Sequence, residues 1–196
     1  MPNSLKRFLR TSDRVRIGWV IFLVLLNASG ISQHPIQYTA AFTHLIEEHH
    51  LVFDLPESSW YKVTSRQADA LTGYDLILES HREKMEIRYR LQPASNMSDG
   101  DFRRQFIAML STLATNDDDA YMAFNQIGSY LAMDRYHAER AMIARFQTKY
   151  EVSPLRYARM LQLYHSRYGI ITCLVLYEDK NQGELAQKRL QHLRFE

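Results

Sequence analysis

The sequence predicts an α+β fold in which an antiparallel sheet, built from β-hairpins, is flanked by helices. Three observations support this prediction. Candidate strands come in adjacent pairs rather than alternating singly with helices. Residues 84–91 alternate between apolar and charged side chains, as a strand with one buried face does. Residues 170–177 are apolar on both parities, which indicates a strand in the middle of the sheet with both faces covered.

The central hairpin is predicted over residues 155–179, and it is the segment most strongly predicted to lie in the hydrophobic core. Two strand-like arms meet at a turn over residues 166–169. Gly169 can adopt the positive φ that a tight turn often requires. The single cysteine, Cys173, lies in the second arm, so we expect a buried thiol and no intramolecular disulfide.

A second hairpin is predicted over residues 74–91, with its turn near residues 80–83. One face of its return arm carries the apolar side chains of Met85, Ile87, Tyr89 and Leu91. The other face carries the charged side chains of Lys84, Glu86, Arg88 and Arg90. Period-two alternation predicts that this charged face is solvated.

The remaining elements follow from helical spacing, capping residues and chain breaks. A helix is predicted over residues 36–48, followed by a pair of short strands at 51–55 and 60–63. Ser98 and Asp101 resemble a capping box and mark an amphipathic helix that runs to about residue 114. Further helices are predicted over residues 121–128, over residues 135–146 with Asp134 as the cap, and from Gln182 to Phe195.

The first 30 residues have the three-part pattern of a secretory signal. A basic stretch leads into the apolar run 19–26, and small residues follow at Ala28 and Gly30. The run is far shorter than the roughly 18 apolar residues that a membrane-spanning helix needs. We therefore expect residues 1–30 to be a signal peptide, residues 31–196 to be a single domain, and the protein to be periplasmic or secreted. An uncleaved N-terminal anchor, with membrane contact confined to residues 15–30, is the alternative.

Composition and charge narrow the classes of protein. The chain of 196 residues is 46% hydrophobic and 23% charged, values typical of a globular domain rather than a disordered or membrane-embedded chain. Its net charge of +2 comes from the basic N-terminus, so nothing in the charge balance indicates nucleic acid as a partner.

The sequence contains none of the strong catalytic or cofactor signatures. It lacks G-x-S-x-G, a glycine-rich phosphate loop, H-E-x-x-H and C-x-x-C. The pairs Ser59/Lys62 and His137/Glu139 match short fragments of catalytic motifs, but the residues that would complete either motif are missing. We therefore predict no catalytic residues, no cofactor and no metal site. The group of His44, His49 and His50 with two neighbouring glutamates leaves a metal ion as an open alternative.

One surface is a candidate for binding an anionic ligand or partner. It combines the charged face of the second hairpin with an aromatic pair near the central turn: Lys84, Arg88, Arg90, Tyr164 and His165. Glu86 interrupts this basic group, so an ordinary solvated surface is the alternative interpretation.

Phe53, Leu55, Pro56 and Trp60 form the pattern F-x-L-P followed by tryptophan, and the chain ends in Leu193-Arg194-Phe195. In these features, residues 50–196 resemble the PsbP-like fold family. That family includes the extrinsic photosystem II subunit, a Ran-binding nuclear transport factor and many exported bacterial domains. The resemblance implies an α/β/α sandwich with an antiparallel sheet and a non-enzymatic role in binding or assembly. The predicted helical insert around residues 117–150 departs from the family pattern, and no functional residue carries over.

We therefore expect an exported binding or assembly protein rather than an enzyme, with another protein as its partner. Such a role predicts an exposed patch on the sheet or on the insert. A small-ligand or metal-binding protein is the first alternative, and it requires a concave site with converging polar groups. A hydrolase without a recognisable motif is the second, and it requires a nucleophile within hydrogen-bond reach of a base.

Overall fold

The computed structural model describes residue 36 and residues 38–55, 60–64 and 73–196. This part of the chain contains four α-helices, a seven-stranded antiparallel sheet and a separate two-stranded sheet, which confirms the α+β class. In chain order the elements are α1 (Ala40–Glu48), β1 (Leu51–Phe53), β2 (Lys62–Val63), β3 (Leu76–Ser80), β4 (Met85–Gln92), α2 (Asp99–Leu113), β5 (Met122–Ile127), α3 (Ser129–Tyr136), β6 (Arg140–Gln147), β7 (Tyr157–His165), β8 (Gly169–Tyr177), α4 (Gly183–Leu190) and β9 (Leu193–Phe195).

The central hairpin forms as predicted. Strands β7 and β8 pair from Tyr157↔Tyr177 to His165↔Gly169. In the large sheet, with order β2-β3-β4-β8-β7-β6-β5, β8 is the middle strand, and all nine of its residues are buried. Gly169 has a φ of +109°, and a Cβ at this position would lie 2.2 Å from the carbonyl oxygen of Gln92. The turn therefore requires glycine for both its backbone angle and its space.

The second hairpin also forms, but the prediction of a solvated charged face is wrong. Strands β3 and β4 pair around a turn at residues 81–84, and the apolar face of β4 is buried as expected. On the opposite face, Glu86 and Arg88 are buried as well, because β4 lies inside the sheet beside β8 and a second apolar cluster covers this face. The Arg88 guanidinium donates to Glu86 and, at 3.0 Å, to the carbonyl of Val152. These bonds compensate for the burial of its charge.

Residues 121–146 contain two strands where the sequence predicted two helices. β5 occupies 122–127 and β6 occupies 140–147, and the helix between them, α3, begins at Ser129. Asp134 lies inside α3 and does not cap a helix. Met142 and Phe146 are four residues apart, which fits a helix, but they also share the parity of one strand face with Ala144. Pairing with β7 selects the strand, because packing overrides the helix propensity of the alanines.

The C-terminal helix is shorter than predicted. α4 ends at Leu190, and β9 then pairs antiparallel with β1 in the register Phe53↔Leu193. β1 therefore pairs with the end of the chain and not with β2, which pairs with β3. Leu193 and Phe195 are buried on either side of the exposed Arg194, which is the alternation of a strand.

Helices cover both faces of the large sheet. α2 begins at its predicted cap, where the Asp101 amide donates to the Ser98 hydroxyl over 3.2 Å. Its apolar residues Phe102 and Phe106 belong to the cluster on the face that carries Leu174. Residues of α1, α3 and α4 belong to the cluster on the opposite face, which carries Cys173. The predicted signal peptide and the domain boundary at residue 31 lie outside the described residues.

Candidate functional site

Strand β5 ends one side of the large sheet. Within the described ranges it is hydrogen-bonded to a strand on one side only, to β6. Its residues, MAFNQI, include no charge, proline or glycine. Sheet edges are normally protected by such residues, because unpaired backbone groups can pair with another chain. β5 therefore presents an unprotected edge.

Exposed apolar side chains lie at both ends of this edge. Met122, at the start of β5, is 54% exposed. Beyond the end of β5, α3 exposes Tyr130 (83%), Leu131 (43%) and Met133 (49%). We name β5 together with these three α3 residues the β5–α3 edge. Large apolar side chains in such number on one short segment are typical of an interaction surface.

The opposite face of α3 fixes its position. Ala132 and Tyr136 are buried in the core cluster, and α3 packs against β6 and β9. The helix ends at His137, whose φ of +50° is left-handed, and its backbone amide donates to α3 carbonyls. The exposed residues of α3 are therefore carried on a helix whose other side is anchored.

The structure does not bring the five predicted binding residues together. Lys84 lies beside the register pair Met85↔Tyr177, whereas Tyr164 pairs with Ile170 at the other end of β8. Lys84 is exposed and forms an ion pair of 2.9 Å with Glu178, which raises the pKa of the lysine. Arg88 is buried, as described above.

The other three lie toward the opposite end of the sheet. Arg90 is half-buried beside Thr172. Tyr164 is buried, and its hydroxyl donates to the carbonyl of Ser95 over 3.0 Å. His165 is half-buried and stacks on Tyr168 with ring centroids 4.4 Å apart. With two of the five buried, the group does not form one continuous patch.

The histidines considered as metal ligands have separate partners. His49 Nδ1 lies 2.5 Å from the carbonyl oxygen of Tyr168, and His50 Nδ1 lies 3.0 Å from a carboxylate oxygen of Glu196. His44 faces Glu48 within α1 at 3.7 Å. In the residues that the structure describes, no three His, Cys, Asp or Glu side chains are grouped so as to hold a metal ion.

Two side chains with reactive chemistry, those of Cys173 and Glu139, are buried or hydrogen-bonded within the fold. Cys173 is buried as predicted, and burial raises the pKa of its thiol well above the ordinary value. Glu139 accepts hydrogen bonds from both the amide and the hydroxyl of Ser166. Burial acts to raise the pKa of Glu139, but these bonds prevail and lower it. Ser59 lies outside the described residues.

The structure contains a buried ion pair that no pattern in the sequence indicated. Arg189 of α4 donates to both carboxylate oxygens of Glu83, one of them over 3.0 Å, and the Tyr61 hydroxyl donates to the same carboxylate. All three side chains are buried. Burial and the neighbouring Glu83 raise the pKa of Tyr61 far above its ordinary range. Glu83 lies in a predicted turn and Arg189 in a predicted helix, and neither pattern indicated burial.

No family model matches the sequence, and no curated protein matches it either. Among the described residues, no helix combines the length and the apolar character that crossing a membrane requires.

Proposed function

We propose that this protein is an exported binding or assembly protein, not an enzyme, and that it binds a protein partner through the β5–α3 edge. The observation that carries the proposal is the combination of an unprotected edge strand with four exposed apolar side chains at its two ends. An exposed patch on the sheet or on the segment 117–150 is the feature that a binding role predicts.

The chemistry of the edge indicates the kind of partner. An extended segment that adds to β5 would satisfy its free backbone groups, and affinity in such strand addition comes from main-chain hydrogen bonds. The apolar residues of α3 would then contact side chains of the added segment or of the domain that carries it. We therefore propose a protein that presents an extended, partly apolar segment.

The proposed fold is the PsbP-like α/β/α sandwich. The two motifs that resemble the family meet in space, because Phe53 of the F-x-L-P pattern pairs in register with Leu193 of the C-terminal motif. Clusters of apolar residues lie on both faces of the sheet, consistent with three layers. Where the family pattern was expected to be interrupted by helices, the chain adds strands β5 and β6 to the sheet, with the helix α3 between them.

The binding role is favoured over catalysis by the state of the reactive groups. The one thiol is buried with a raised pKa, so it is not a thiolate nucleophile at neutral pH. Export is proposed from the N-terminal sequence pattern, and it places the partner in the periplasm or outside the cell.

The test is co-purification of the tagged protein from the native envelope fraction, with variants of the edge. Asn125→Lys with Gln126→Lys adds charge to two exposed positions of β5, and Tyr130→Ser removes the most exposed residue of α3. Tyr150→Ser is the matched control, because Tyr150 is also 84% exposed but lies in the loop after β6. We expect the partner with wild type and with Tyr150→Ser, and its loss with the edge variants.

The same proteins recovered with all variants would contradict the proposal. Because all of the changed side chains are exposed, we expect each variant to fold, and circular dichroism checks this. Sedimentation of the purified protein identifies a further outcome. If wild type is dimeric and the edge variants are monomeric, the partner is a second copy of this chain.

A further inference from the structure

Basic side chains line a cleft at the start of α4, and the sequence pattern did not indicate this grouping. It has a volume of about 350 Å³ and lies on the sheet face that α4 covers. Its lining consists of three basic side chains, two tyrosines and one glycine: Arg145, Arg159, Lys180, Tyr121, Tyr177 and Gly183. No acidic side chain is part of this lining.

Two of the cations face each other across neighbouring strands. Arg145 of β6 and Arg159 of β7 are register partners on the same face of the sheet. Like charges directly opposite each other in a sheet are destabilising. In the part of the chain that the structure describes, no ion pair joins Arg145, Arg159 or Lys180 to a carboxylate. The pair therefore lacks the counter-charge that would offset its repulsion.

Arg159 has donor capacity that the fold does not use. One terminal nitrogen, Nη1, donates to Gln187 over 2.7 Å. Its Nε is buried and has no hydrogen-bond partner. A buried donor without a partner is costly, and the cost is removed when a ligand oxygen accepts from it. The guanidinium fork matches the oxygens of phosphate or carboxylate groups.

The two carboxylates that precede Lys180 in the chain are engaged elsewhere. Asp179 accepts from the amide of Asn181 over 2.9 Å and so caps the 3-10 turn that precedes α4. Glu178 is paired with Lys84. These contacts hold both acidic side chains in structural roles beside the cleft.

The remaining lining supplies donors and an aromatic wall. Burial raises the pKa of Tyr177 to about 12, so its hydroxyl keeps its proton at neutral pH. The ring of Tyr177 stacks on that of Tyr157, with centroids 5.8 Å apart. Gly183 begins α4, and its backbone amide donates to the carbonyl of Lys180. A Cβ there would lie 3.5 Å from Arg159 Nη2, an ordinary contact distance, so the start of α4 lies against the guanidinium.

We propose that this cleft binds a small phosphate monoester, with Arg145, Arg159 and Lys180 contacting the phosphate and the tyrosines contacting the attached group. Three cations from separate elements suit an anion with several oxygens. The volume accommodates a phosphate with a small organic substituent. No residue of the β5–α3 edge lines this cleft, so this proposal goes beyond the binding of a protein partner.

The test is titration calorimetry of the purified protein at low salt with phenyl phosphate, inorganic phosphate and benzoate. We expect phenyl phosphate to bind, inorganic phosphate to bind more weakly, and benzoate to bind at least about tenfold more weakly than phenyl phosphate. Affinity for phenyl phosphate should fall as salt increases, because charge contributes to binding. If inorganic phosphate binds as tightly as phenyl phosphate, the cleft binds only the free ion, and the proposal of a phosphate monoester as ligand is overturned. If benzoate binds as tightly as phenyl phosphate, the cleft does not select phosphate over carboxylate, and the proposal is likewise overturned.

Substitutions of the basic lining residues test whether phenyl phosphate binds in this cleft. Arg159→Gln should weaken phenyl phosphate binding by about tenfold or more, since one charge-assisted interaction is lost. Arg145→Gln with Lys180→Gln changes two exposed side chains and gives the same test without altering a buried group. Arg156→Gln is the matched control, because Arg156 is exposed beside Tyr157 and does not line the cleft. No measurable binding to wild type, or unchanged affinity in the double variant, would overturn the proposal.

Discussion

At the scale of single residues, the buried Glu83 carboxylate shows how much one charge depends on its partners. It accepts from Arg189 of α4 and from Tyr61, and the carbonyl of Glu83 accepts from Gln182 over 2.6 Å. Glu83 thus connects the β3–β4 turn to α4 and to the segment before β2. Removing one partner of such a pair leaves an uncompensated charge in the interior.

We expect Glu83→Gln to lower the free energy of unfolding by about 3–5 kcal/mol, because Arg189 would stay buried without its counter-charge. Urea denaturation followed by circular dichroism measures this loss. Glu178→Gln is the control, because it breaks an exposed ion pair with Lys84, and exposed pairs contribute little. Equal effects of the two substitutions would contradict the assignment of the Glu83 cluster as a buried ion pair.

At the scale of elements, the β7–β8 hairpin depends on its turn. Gly169 combines a φ of +109° with close contact to the backbone of β4, where a Cβ would meet the carbonyl oxygen of Gln92. The turn therefore links the central hairpin to its neighbouring strand, and a side chain there would strain both.

Gly169→Ala should destabilise the protein by about 2 kcal/mol or more, through backbone strain and displacement of β4. The matched control is Gly128→Ala, because Gly128 has a negative φ and open space where its Cβ would lie. Thermal unfolding of both variants tests the difference. A Gly169→Ala protein as stable as the control would show that the turn tolerates a side chain.

Elements with a single compatible pattern could be predicted from the sequence. The alternation of β4 fits a strand, and the short, β-branched apolar run of β8 after a turn glycine favours one, so both hairpins were predicted correctly. Met142 and Phe146 satisfy a helix and a strand equally, and the pairing that decides between them involves β7, ten or more residues away. Their assignment as a helix was therefore wrong for a reason that local spacing could not reveal.

The same limit applies to the candidate sites. A binding role predicted an exposed patch on the sheet or on the segment 117–150, but the position of the exposed apolar residues beside an edge strand depends on β5 being a strand. Arg145 and Arg159 are 14 positions apart in the sequence, and only the β6–β7 register places them opposite each other. Burial of Arg88 and Tyr164 likewise follows from helix α2 and the loops that cover that face.

At the scale of the whole molecule, the large sheet has a buried centre and an exposed edge at β5. β8 lies at the centre with both faces covered, and β5 ends one side with exposed residues of mixed character. The core thus stabilises the fold at the middle strands, which leaves the β5–α3 edge available for a partner. The proposed binding role depends on the protein meeting that partner outside the cytoplasm.

The proposed export predicts where the protein is found and at which residue the mature chain begins. Expressed from its full-length gene in its native cells, the protein should be found in the periplasm or the medium, with Ile31 as its first residue, because residues 1–30 have the form of a cleaved signal. Cell fractionation and N-terminal sequencing measure both features. Leu23→Arg with Leu25→Arg interrupts the apolar run and should retain the protein in the cytoplasm, whereas Asn3→Ser at the extreme N-terminus should not. Recovery of wild type from the cytosol with an intact N-terminus would refute export, and recovery from membranes with that N-terminus would show an anchor instead.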